Sequence, residues 1–195
     1  VTLNNASEAT DIVLGNGGDE DLTVTFADGS KAKDVTVRNY ANGSANDLNI
    51  NGPVTAAVGI ALTNDEGSVT VEGSLTSGKA TLAKATDGDI SIHGDVQSGT
   101  SAAVQADNGS VTVTGDITSG TSADLSAAGG NVSITGNVQS GTSVTAQATE
   151  GNVTVGGSLT SKDGDTVLSA SDSQKLEDKG NIRVTGSVDS AHDIE

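Results

Sequence analysis

From residue 46 onward the chain repeats short apolar alternations, each closed by a polar corner. Val69 and Val71 flank Thr70, Val111 and Val113 flank Thr112, and Val132 and Ile134 flank Ser133. Alternation with a period of two puts the apolar side chains on one face and predicts a half-buried strand. A glycine follows each time, at Gly73, Gly94, Gly115, Gly136, Gly157 and Gly186. Next comes a second short strand with one apolar residue: Leu75, Val96, Ile117, Val138, Leu159 or Val188. A Ser-Gly pair then marks another corner, and a third alternating segment follows, such as Ala123, Leu125 and Ala127. Glycine suits these corners because a tight change of direction needs a positive φ or a close backbone approach.

The pattern returns every 21 residues, with units opening at Gly67, Gly88, Gly109, Gly130 and Gly151. A looser unit opens at Asn46 and a partial one at Gly180, after the extra residues in "SKDGD" and "SDSQKLEDK". A fixed period of this size marks a solenoid. Three strands and three corners per unit leave no room for a helix, and the dense leucines of leucine-rich repeats are missing. The expected fold is all-β, a parallel β-helix whose 21-residue rungs each carry three short strands. Equivalent strands then stack about 4.8 Å apart, so the narrow interior takes Val, Ile, Leu and Ala, and rings do not fit. By the same parity Ser77, Ser98, Ser119, Ser140 and Ser161 point inward, and their hydroxyls bond along the stack or to corner backbone. One β-helix is expected over 1–195, regular over 46–195 and irregular over 1–45. Within the irregular part, 12–14, 22–26 and 35–37 read as strands of one wide rung with longer loops. Residues 1–3 would finish the rung before it, and 39–47 read as a protruding turn. Because the chain opens in mid-strand and stops partway through a repeat, more chain is expected at both ends.

Composition narrows the function. The 195 residues include one Phe, one Tyr and no Trp, Met or Cys, with 9 Lys and Arg against 26 Asp and Glu, a net charge of −17. Disulfides and thiolate metal sites are thereby excluded, and nucleic acid and anionic membrane surfaces are disfavoured as partners. No apolar run reaches the roughly 20 residues of a membrane span, so no membrane insertion is expected. "GNGGDEDLTV" (15–24) approaches the Ca²⁺-binding nonapeptide with Glu20 where Asp belongs, but adjacent turns must supply ligands and it stands alone; an acidic turn is the reading. His93 and His192 lack metal-spaced partners, and His93 reads as solvated. No G-x-S-x-G elbow occurs. Asp89, Asp95, Asp116 and Asp124 read as scattered outward acids with no rings to hold a sugar. The expectation is no enzyme, no cofactor and no metal, with a polysaccharide-active β-helical enzyme as a remote alternative. The alternative that stands ahead of the enzyme comes from the outward column Thr70, Ser91, Thr112, Ser133 and Thr154, since a Thr ladder on a flat solenoid can order water, as in ice binding. Outward Thr is also simply a good strand residue.

The segments "GNVSITGNVQSGTS", "GNVTVGGSLTS" and "GDISIHGDVQSG" resemble the repeats of filamentous-haemagglutinin-type exoproteins. These are the large adhesins of bacterial two-partner secretion and related autotransporter passengers. The resemblance spans about residues 46–195 and rests on the motif G-[DNS]-[VI]-x-[VI]-x-G-x-[VIL]-x-S. The family's NPNG-type secretion motif is not in the sequence. The resemblance implies a right-handed parallel β-helix acting as a stalk at the bacterial cell surface or in a secreted adhesin, with binding elements on inserted loops or distal domains. It carries over no functional residue. The breaks in the repeat, 39–45 and 171–179, are the expected contacts with a host-cell surface protein or glycan, because loops escape the stacking constraint. The residues named for that role are Asn42, Ser44, Asp172, Gln174, Lys175, Glu177 and Asp178.

Overall fold

The computed structural model describes residues 1–4, 10–40, 43, 45–171 and 180–195. Among these every regular element is a strand, and the strands form three parallel sheets of nine, seven and eight members. In the regular rungs the chain visits the sheets in a fixed order. Val69–Glu72 lies in the first sheet, Leu75–Ser77 in the second and Thr81–Ala85 in the third, and Ile90–Ile92 then returns to the first. The expected parallel β-solenoid is the observed fold, with about eight turns.

Register is set by the apolar alternation. Val69, Ile90, Val111, Val132 and Val153 lie one above another, as do Leu75, Val96, Ile117, Val138 and Leu159. All ten are fully buried, and burying such a side chain is worth about 1.5–3 kcal/mol relative to exposure. A slip of one residue would turn every one of them outward.

The corner glycines answer to distance. A Cβ on Gly94 would lie 2.6 Å from the carbonyl carbon of Gly73, and one on Gly120 would run into the carbonyl oxygen of Gly99. Rungs stacked this closely have no room there for a side chain. Gly52, at the head of the first corner column, also adopts the left-handed φ of 86°.

Three expectations change. Residues 12–14, 22–26 and 35–37 do not form one rung. Ile12–Asn16 and Val35–Asn39 stack on each other in the third sheet, and Thr2–Leu3 stacks on Leu22–Phe26 in the first. The opening rung therefore runs from Thr2–Leu3 to Ile12–Asn16. The next runs from Leu22–Phe26 through Ala32, which bridges to Ala56, to Val35–Asn39. A ring does fit the interior once, because Phe26 is buried in that longer rung. The inward serines are buried as expected, yet the Oγ atoms of Ser98, Ser119 and Ser140 have no hydrogen-bond partner. The expected bonding along the stack holds at its last step, where the Ser161 and Ser190 hydroxyls stand 3.4 Å apart, and not at these three. The carbonyls of Ser98 and Ser119 already accept the N–H of Gly120 and Gly141, and that of Ser140 accepts the N–H of Lys162. Ser77 escapes by bonding Thr81 at 2.9 Å, and Ser161 by donating to the Gly164 carbonyl at 2.6 Å.

Candidate functional surface

Asn42, Ser44, Asp172, Gln174, Lys175, Glu177 and Asp178 lie outside the described residues. Their flanks are described and belong to the stack. Ser171 donates its N–H to Ala148 at 2.9 Å and its hydroxyl to the Thr149 carbonyl at 2.9 Å, and it accepts from Gly151 at 3.0 Å. Tyr40 donates its N–H to Asn16 at 2.7 Å.

The residue after each opening glycine does more than face solvent. The Asp89 Oδ1 accepts the N–H of Ser110 at 2.7 Å, the Ser110 Oγ accepts that of Asn131 at 3.2 Å, and the Asn131 Oδ1 accepts that of Asn152 at 2.8 Å. The series starts below, at Asp21, Asp47 and Ser68, and continues above to Asn181. A second ladder follows the corner glycines: Ser74, Asp95, Asp116, Asn137 and Ser158 each accept from the N–H one rung later, and it ends on the N–H of Ser187. Asp, Asn and Ser share what this position requires, an acceptor oxygen on a short arm. Asp89, Asp95 and Asp116 are thus members of two continuous ladders rather than scattered acids. Thr121 and Thr142 tie the other corner, donating their hydroxyls to the carbonyls of Thr100 and Thr121 at 3.0 and 2.7 Å.

A third column went unread in the sequence. Asn16, Asn39 and Asn64 occupy the inward end of the third sheet where later rungs carry Ala85, Ala106 and Ala127. Asn16 Nδ2 donates to Asn39 Oδ1 at 3.1 Å and to the Glu20 carbonyl at 2.8 Å, and its own Oδ1 accepts from the Gly18 N–H at 3.1 Å. Asn39 and Asn64 both donate to the carbonyl of Asn46. These amides fasten the long early turns, including the acidic turn at 15–24. The signal for them was the shared position just past an apolar alternation.

Charge is distributed unevenly. No Lys or Arg occurs between Ala85 and Ser161. Toward the N-terminal end Lys33, Arg38 and Lys84 pair with Asp11, Asp65 and Asp107 at 3.3, 2.9 and 2.9 Å. The hydrogen bond to Asp65, followed by its negative charge, raises the Arg38 pKa above its ordinary value. The guanidinium also lies over the Tyr40 ring, 4.7 Å from its centre. Arg38, Thr63, Asp65 and Lys84 line a shallow groove on the third sheet. His93 is exposed as expected but not alone, since its Nδ1 stands 2.9 Å from Glu72 Oε1. His192 is 3.9 Å from Asp165. Among the described residues no three His, Cys, Asp or Glu side chains group as metal ligands. The outward column Thr70, Ser91, Thr112, Ser133 and Thr154 is in register. No helix among the described residues is long and apolar enough to cross a membrane.

Comparison with protein-family models, with curated proteins and with solved structures finds no match.

Proposed function

We propose that this chain is a non-catalytic stalk segment of a large bacterial surface or secreted adhesin. The observation that carries the reading is the pair of side-chain ladders. Polar side chains that could have served chemistry are engaged in fastening each rung to the next, along the whole regular stack. The resemblance of residues 46–195 to filamentous-haemagglutinin-type repeats supports the same role. A spacer of this kind holds binding elements away from the cell. Within this chain a host-cell protein or glycan would be met at the interruptions 39–45 and 171–179.

Two measurements test this. Small-angle scattering should show an elongated particle that shortens by about 10 Å when residues 109–150, two whole rungs, are removed, since each rung adds about 4.8 Å. In a host-cell binding assay, replacing 172–179 with the short connection of the regular rungs should abolish binding while the melting temperature stays put. Polysaccharide cleavage by the purified chain, lost on replacing one carboxylate, would end the stalk reading. The in-register Thr and Ser column supports a second reading, an ice-binding face, for which thermal hysteresis is the direct assay.

A further inference from the structure

Four Asn-Gly steps occur in the chain: Asn16-Gly17, Asn42-Gly43, Asn51-Gly52 and Asn108-Gly109. In such a step the glycine nitrogen can attack the asparagine carboxamide, because no Cβ crowds its approach. The reaction requires the asparagine side chain to swing back over the following peptide bond. Both the carboxamide and the glycine N–H must therefore be free to move.

The fold separates the three described steps. Asn16 is held at three points, by Glu20, Asn39 and Gly18. Asn51 is a strand residue paired with Thr25 below and Glu72 above, and the Gly52 N–H donates to the Glu72 carbonyl at 3.0 Å. Asn108 differs on each count. It is exposed, in the bend between Ser101–Ala106 and Val111–Val113, and the Gly109 N–H donates to no described residue. A single contact holds its side chain, from Nδ2 to Asp87 Oδ1 at 2.7 Å.

We propose that Asn108 is a self-modification site of this protein, converted in the folded state to aspartate and isoaspartate. The Gly109 nitrogen bonds to the Asn108 Cγ as the Cγ–Nδ2 bond breaks. Ammonia leaves with the proton that Gly109 gives up, and a five-membered imide remains. Water then adds to one of the two imide carbonyls. Opening on one side yields aspartate; opening on the other routes the backbone through the side chain as isoaspartate. In either case an amide that donated to Asp87 becomes a carboxylate facing it, and the molecule gains one negative charge. The isoaspartate product also adds a backbone carbon just before Gly109, a position so close to Gly88 that even a Cβ there would run into the Gly88 carbonyl.

The test is timed peptide mapping, with isoaspartate detection, of the whole chain carrying Asn42→Gln. In denaturant the three remaining steps should react at comparable rates. In the folded protein Asn108 should react at least about tenfold faster than Asn16 or Asn51, each of which must first break additional hydrogen bonds. Asn108→Asp should lower the melting temperature at low salt, and Asp87→Asn added to it should restore the parent value by reversing the donor and acceptor. Equal rates at the three steps in the folded chain overturn the proposal, as does an Asn108 that stays unmodified in the folded chain while it reacts in denaturant.

Discussion

Asp116 shows how much one side chain does in this stack. Its Oδ1 accepts both the N–H of Asn137, at 2.7 Å, and that residue's Nδ2, at 3.1 Å, while its own N–H donates to Asp95 at 2.9 Å. Asp116→Ala should therefore cost about 0.5–1.5 kcal/mol. Asp116→Asn should cost less or even stabilise, since it keeps the acceptor and removes the like charge of Asp95, one rung of about 4.8 Å away. Urea denaturation of the two variants checks the order. The buried serines give a prediction of opposite sign. Thr81 satisfies Ser77, but the same position is Ala102 in the next rung, where Ser98 is left without a partner. Ala102→Thr should supply one and raise stability by about 1 kcal/mol; Val144 in the same column shows that a branched side chain fits there. Of this scale the sequence discloses identity better than duty. The alternation D, N or S after each opening glycine was visible, but the N–H that each oxygen reaches belongs to a residue 21 positions later. Asn16, Asn39 and Asn64 were harder still. Those early rungs do not share the regular spacing, so their column falls out of line when the chain is read at a fixed period.

Among the elements, corners constrain sequence more tightly than strands. Gly120→Ala drives a methyl into the Gly99 carbonyl oxygen, which is backbone and cannot swing aside. The change should cost about 1–3 kcal/mol or more. Gly17→Ala meets nothing within 4 Å, so it should be neutral or stabilise by up to about 1 kcal/mol through the unfolded chain. Thermal melts of the pair separate corner glycines from turn glycines. The regular strands were legible for a related reason. Where corners recur at one spacing, the apolar alternation between them has one possible register. In the first 45 residues the turns are longer, pairing steps of 23 and 26 residues appear, and alternation alone could not assign 12–14 and 35–37 to different rungs.

For the whole molecule the governing facts are nearest-neighbour contact and unbalanced charge. Each rung touches the ones above and below, so stability is close to a sum over rungs and their interfaces. A wounded middle rung, such as that carrying Gly120→Ala, should let the two halves unfold separately and give a denaturation curve with a populated intermediate. The net charge of −17 adds self-repulsion, which salt screens over about 8 Å at physiological ionic strength. The melting temperature should rise between low salt and that level, as scanning calorimetry would record. A fall would show that the ion pairs of Lys33, Arg38 and Lys84 outweigh the excess acid.

The ladders run one way. In both, the oxygen belongs to the earlier rung and the N–H to the later one. A chain that emerges amino end first therefore lays down its acceptors before their donors exist. Each finished coil presents its side-chain acceptors to the one still arriving. Growth from the opposite end would offer donors to oxygens not yet in place. The side-chain ladders thus carry an arrow that the backbone bonds, which run both ways between rungs, do not, and it points in the direction in which a polypeptide is made.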